Sequence, residues 1–94
     1  MTETEIIHSG INNRTKIKIN YKDDWTIIEP YLHGLSRMGD EFIYAKTFHH
    51  DGDHFYRFDL DAVNGIKAMT EPFKVDHEYE RPVYVNEDYA CICT

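Results

Sequence analysis

The amino-acid sequence predicts a small, mainly β protein: one bent sheet or barrel of about five antiparallel strands, with a short N-terminal helix and a strand-like C-terminal extension. Three observations carry this. The chain has 94 residues with seven tyrosines and five phenylalanines, a weighting that favours strands. Apolar and polar residues alternate strictly over Lys16–Tyr21. Turn residues punctuate the chain at Lys22-Asp23-Asp24, Gly39-Asp40 and Asp51-Gly52.

Ile7 and Ile11 stand at i, i+4 between Thr2 or Thr4 as a cap and a polar end, so residues 3–13 read as a helix. Gly10 inside it costs about 1 kcal/mol of helix preference. In the first strand Ile17, Ile19 and Tyr21 share a face, and Lys16, Lys18 and Asn20 take the other. Residues 25–35 form the second strand, which is at an edge, bent or bulged at Pro30, since proline has no N–H for a ladder. Residues 41–48 form the third. His49 to Asp53 is a hairpin loop, and residues 54–60 form the fourth strand, with Tyr56, Phe58 and Leu60 on the core face and Phe55 opposite, exposed or at an interface. Asn64-Gly65 reads as a turn before a short fifth strand over 66–69, ended by Pro72. Val83–Val85 and residues 89–93 are strand-like. The whole is one domain: an N-terminal arm over 1–14, a β core over 15–73 and an extension over 74–94.

The formal net charge is −7, which disfavours a broad nucleic-acid interface and an anionic membrane surface. No apolar run reaches the length of a membrane span, and the acidic N-terminus is not a secretory signal. Cys91 and Cys93, two residues apart, read as reduced thiols. The expected setting is therefore cytoplasmic.

Catalysis has little to stand on. Ser9 and Ser36 lie in no nucleophile-elbow pattern, there is no phosphate-binding glycine loop, and no carboxylate pair has a telling spacing. The sequence points to a non-enzyme without a cofactor. His49-His50-Asp51-Gly52-Asp53-His54 has the donor types for zinc or nickel, with His49, His50 and His54 as ligands, but it reads first as a solvated loop. Arg57 suits either a surface ion pair with Asp59 or an anion anchor. Trp25, Phe42, Tyr44 and Phe55 are core residues or stacking surfaces for bases, with Trp25, beside a turn, the one expected outside.

The order of pieces resembles the WYL domain from about Ile7 to Phe73. An amphipathic helix precedes Ile17-Lys18-Ile19-Asn20-Tyr21; Ile28-Glu29-Pro30-Tyr31 follows, then Gly34 and Gly39. Glu41-Phe42-Ile43-Tyr44-Ala45 stands where the family has Trp-Tyr-Leu, Tyr56 to Val63 where it has Phe-Arg-Leu-Asp-Arg-Ile, and Glu71-Pro72-Phe73 closes the set. The two arginines of that motif fall on Asp59 and Ala62, and only Arg57 remains on the strand. The resemblance implies an SH3/Sm-like fold and a ligand- or partner-binding module of bacterial or phage regulation. The candidate ligand-binding residues are Arg57, Tyr21, Tyr44, Trp25 and Ser36. Two other readings stand beside it: an SH3-like interaction or structural domain without a small-molecule site, and a single-stranded nucleic-acid binder. The partner is a small ligand or a protein, and a homodimer is open.

Overall fold

A computed structural model describes residues 2–49, 52–76, 79–80 and 82–92. Helix α1 (Glu3–Asn13) leads into strands β1 (Thr15–Tyr21), β2 (Asp24–Ser36), β3 (Glu41–His49) and β4 (Gly52–Asp59). A single 3-10 turn, Leu60–Ala62, then precedes β5 (Val63–Pro72), and β6 (Val85–Cys91) comes from the extension.

The Thr2 hydroxyl caps α1 by accepting the Glu5 N–H, and Glu3 and Glu5 complement the positive end of the helix dipole. Arg14 ends it in the left-handed conformation. The buried face carries Ile7, Gly10 and Ile11. Gly10 is where the helix comes closest to the sheet: a Cβ there would lie 2.8 Å from Ile17 Cγ2. The residue that weakens the helix in isolation therefore permits its docking.

Every strand pair is antiparallel, in the order β4-β3-β2-β1-β5. β1 to β4 run as the antiparallel meander that the turn residues led us to expect, and the 3-10 turn carries the chain across to β5 beside β1. Among the described residues β4 and β5 do not pair, so the sheet is bent and open. Lys22 and Asp23 both have positive φ, the requirement of a tight turn that matches the strand twist. The β2–β3 register slips between Pro30 and Leu32, a bulge where proline was expected to bend the strand. The long β2 can then serve two neighbours along one edge: its first half pairs with β1 and its second with β6.

Four expectations change. The β3–β4 hairpin is tighter than a five-residue loop, because His49 already pairs with Gly52; the link between them lies outside the described residues. Asn64-Gly65 is not a turn but part of β5, with Gly65 opposite Asn20, and the turn is made by Leu60–Ala62 instead. The extension has one strand, β6, with two register slips against β2; Val83 and Tyr84 make the turn before it, and Cys93 lies outside the described residues.

The fourth change concerns the core. Ile17, Ile19, Ile28, Ile43, Ala45 and Phe58 line one face of the sheet and meet Ile7 and Ile11 of α1. Each fully buried isoleucine contributes about 1.5–3 kcal/mol. Tyr56, expected beside Phe58 in the core, is half exposed at the open side of the sheet. Phe55 is half-buried rather than exposed. The extension folds over the opposite face, and Phe55 joins Tyr31, Tyr44 and Tyr79 in a ring cluster, stacked on Tyr44 at 5.5 Å. The extension is pinned there by Lys46 Nζ to Asp76 Oδ2 at 3.0 Å and by the Asp76 N–H, which donates to Tyr31 Oη at 2.8 Å. Both faces of the central strands are covered, one by helix and one by tail.

Candidate functional site

The part of the outer face that the extension leaves bare lies over β1, the start of β2, and β5. Alternation turns Ile17 and Ile19 inward and Lys16 and Lys18 outward. The register places Asn20 opposite Trp25 and Lys18 opposite Ile27 on one side, and Lys18 opposite Lys67 and Asn20 opposite Gly65 on the other. These residues therefore share one surface. Trp25 is 43% exposed and Ile27 40%, although both belong to a strand that is buried from Ile28 to Gly34.

The indole lies over Gly65: a Cβ at that glycine would sit 3.3 Å from its Cη2. Lys67 Nζ is 4.7 Å from the ring centroid and Lys18 Nζ 6.0 Å. Two ammonium groups beside one electron-rich ring hold the indole flat and charge its surroundings positively. An open groove of about 710 Å³ runs beside it, lined by Lys16, Lys18, Asp24, Trp25, Thr26, Ile27 and Glu71. Lys16 is paired with Glu71 at 3.2 Å. Asn20 Oδ1 is buried on this same face and finds no hydrogen-bond partner among the described residues. Chemically the surface offers a flat aromatic to stack on, an apolar neighbour and local positive charge in a protein of net negative charge.

The other residues singled out in the sequence do not converge here. Tyr21 points to the inner face, its ring edge-on to Phe58 at 4.9 Å, and lines a cleft of about 300 Å³ with Tyr56, Phe58, Lys22, Asp24 and Thr26. Tyr44 is paired across strands with Arg57 and half-buried under the extension. Burial raises the Tyr44 phenol above its ordinary value. The Arg57 guanidinium stands 5.1 Å from the rings of both Phe42 and Tyr84 and reaches Asp59 at 2.8 Å and Asp40 at 3.7 Å. That is an anchor for the tail, with the expected Asp59 pair in place. Ser36 is buried, and its hydroxyl accepts the Asp40 N–H in the β2–β3 turn. His54 is exposed on β4, His49 closes β3, and His50 falls outside the described residues. The described residues include no group of three or more histidine, cysteine or acidic side chains placed to hold a metal. No helix among them is long and apolar enough to cross a membrane.

Sequence reasoning selected Trp25 but missed Lys18, Lys67 and Ile27 as its neighbours. The signal was present in the Lys16-Ile17-Lys18 alternation, yet only the strand register brings those lysines to the indole. It also missed a cluster around the buried His33, joined to His8 and Glu41, whose members come from three different elements.

The fold and this surface together define a small open β-sheet domain with a tryptophan–lysine face. Comparison of the chain with protein-family models, with curated proteins and with solved structures gives no match.

Proposed function

We propose that this chain is a non-catalytic, WYL-like binding module of bacterial or phage regulation, and that it takes its ligand on the Trp25 face. The observation that carries the reading is the half-exposed indole held between Lys18 and Lys67. A ligand with a planar group and a negative charge, such as a nucleotide or a short single strand, satisfies both features at once. Stacking of a base on an aromatic side chain contributes about 1–3 kcal/mol, and neighbouring lysines add a salt-sensitive attraction. The lining is mixed in charge, with Asp24 and Glu71 beside the lysines, which fits a small ligand better than a long polyanion.

Trp25 is the single tryptophan of the chain, so its fluorescence reports this surface alone. Titration with ATP and with an oligothymidylate at low salt should quench it saturably. Lys18→Ala with Lys67→Ala should weaken the effect several-fold while leaving thermal stability nearly unchanged. An unquenched indole at millimolar nucleotide and low salt would reject the reading.

A second reading, an interaction domain without a small-molecule site, rests on a different place. Met38 and Val83 are 87% and 85% exposed, and the Arg37 N–H donates to the Tyr84 carbonyl at 3.0 Å, so the two lie in adjoining turns. A protein partner at that tip would respond to Met38→Asp and Val83→Asp and be indifferent to changes at Trp25.

A further inference from the structure

His8 of α1, His33 of β2 and Glu41 of β3 form a continuous hydrogen-bonded chain. His33 is 1% exposed. Its Nε2 lies 2.9 Å from Glu41 Oε1, and its Nδ1 lies 2.8 Å from His8 Nε2. The order of protons follows from the donors and acceptors available. A carboxylate only accepts, so His33 Nε2 carries a hydrogen. A neutral His33 ring then offers the lone pair of Nδ1, and His8 must donate to it from Nε2. Each link holds one proton, and the outer His8 Nδ1 is left as an acceptor.

This arrangement tolerates one added proton but not two. A proton on His8 Nδ1 leaves both bonds in place. A proton on His33 Nδ1 is accepted by His8 Nε2 if neutral His8 carries its hydrogen on Nδ1, but with His8 also charged it sets two N–H groups against each other at a separation of 2.8 Å and two cations in contact. The groups that face His33 are His8 from α1, Glu41 from β3 and the Tyr89 ring from β6, 5.3 Å away. Glu41 favours a charged His33, but one carboxylate, itself about half exposed, does not offset two imidazolium rings in a buried site.

We propose that His8, His33 and Glu41 form an acid-sensitive latch that fastens α1 to the sheet and releases it when both imidazoles become charged. The same release opens the cavity of about 200 Å³ beneath the start of the helix, lined by Glu3, Thr4, Ile7, Glu41, Leu60, Val63 and Ile66. Burial, the largest influence, lowers the His33 pKa, Glu41 works against it, and His8 lowers it further. Acidification below about 6.5, the ordinary histidine value, therefore favours states in which His33 is free of the latch. Each pH unit multiplies the opening constant about tenfold until His33 titrates in place.

The test is amide hydrogen exchange of the whole chain at pH 7.5 and 5.5, corrected for intrinsic rates, comparing residues 6–13 of α1 with the β1–β2 ladder. The wild type should lose protection in α1 by about tenfold or more on acidification, with the β1–β2 amides retaining theirs. His8→Gln should weaken this dependence, because burial still disfavours the charged His33 ring but the clash with a second imidazolium is gone. Its amide can donate to neutral His33 and, once flipped, accept from the protonated ring. Glu41→Gln keeps an acceptor but removes the charge that favours a protonated His33 in the closed latch, so protection in α1 should fall further on acidification than in the wild type, with the onset unchanged. Helix protection that ignores pH in the wild type, or that falls equally in His8→Gln, overturns the latch.

Discussion

Gly34 is the position at which the docking of the extension can be tested with one methyl group. It pairs with Asp88 of β6 through an irregular register, and a Cβ placed on it would lie 2.4 Å from the Glu87 carbonyl oxygen and 3.2 Å from Asp88 Cα. Both are backbone atoms, so no side chain can rotate away. In an unencumbered strand, alanine in place of glycine stabilises by about 0.5–1 kcal/mol. Overpacking a well-filled site costs about 1–3 kcal/mol, and a contact this short with backbone belongs at the upper end. The expected net loss for Gly34→Ala is about 2 kcal/mol. For a domain of this size that lowers Tm by roughly 10 °C. Urea denaturation followed by circular dichroism gives the free energy. Near-ultraviolet signals should report the disturbed contacts of Tyr84 with Phe42 and of Tyr89 with His33, while Trp25 emission stays as it was. A variant as stable as the parent, or more stable, would refute the close passage of β6 over β2.

Three further outcomes follow from the same packing. Ile19→Ala empties a fully buried site on β1 and should cost about 2–5 kcal/mol by denaturant titration, against less than about 1 kcal/mol for Lys18→Ala next to it. Arg57→Lys keeps the charge but loses the flat guanidinium between Phe42 and Tyr84, and the same titration should register a loss of about 1 kcal/mol. Burial raises the phenol pKa values of Tyr31, Tyr44 and Tyr84. Because their folded values stand above the unfolded value of about 10, the stability they contribute is complete below that pH and is lost as pH rises through the folded values. A spectrophotometric tyrosinate titration should show these tyrosines ionising late, with unfolding accompanying the last of them.

Local patterns made much of the fold legible. The alternation over Lys16–Tyr21 set the inner and outer faces of β1, and Pro30 announced the bulge that lets β2 turn between two partners. Trp25, the one tryptophan in the chain, was expected outside and is. Features set by distant pairing were harder to read. Phe55 looked like an interface residue because nothing in residues 54–60 shows that Tyr79 will come to lie against it. Gly65 looked like a turn because glycine commonly makes one, whereas its missing side chain makes room for the indole. Gly10 looked like a flaw in the helix, and only the proximity of Ile17 shows why it is there. His8, His33 and Glu41 lie 25 and 8 residues apart in sequence, and no spacing rule joins them.

The Trp25 face is most directly tested by mapping amide and side-chain chemical shifts of the isotopically labelled chain during nucleotide addition. The signals of Lys18, Trp25, Ile27, Gly65 and Lys67 should move together and saturate, while those around Arg57 and Tyr44 stay in place. Saturable shifts centred on Arg57, with the tryptophan indole signal unmoved, would contradict a ligand site at Trp25.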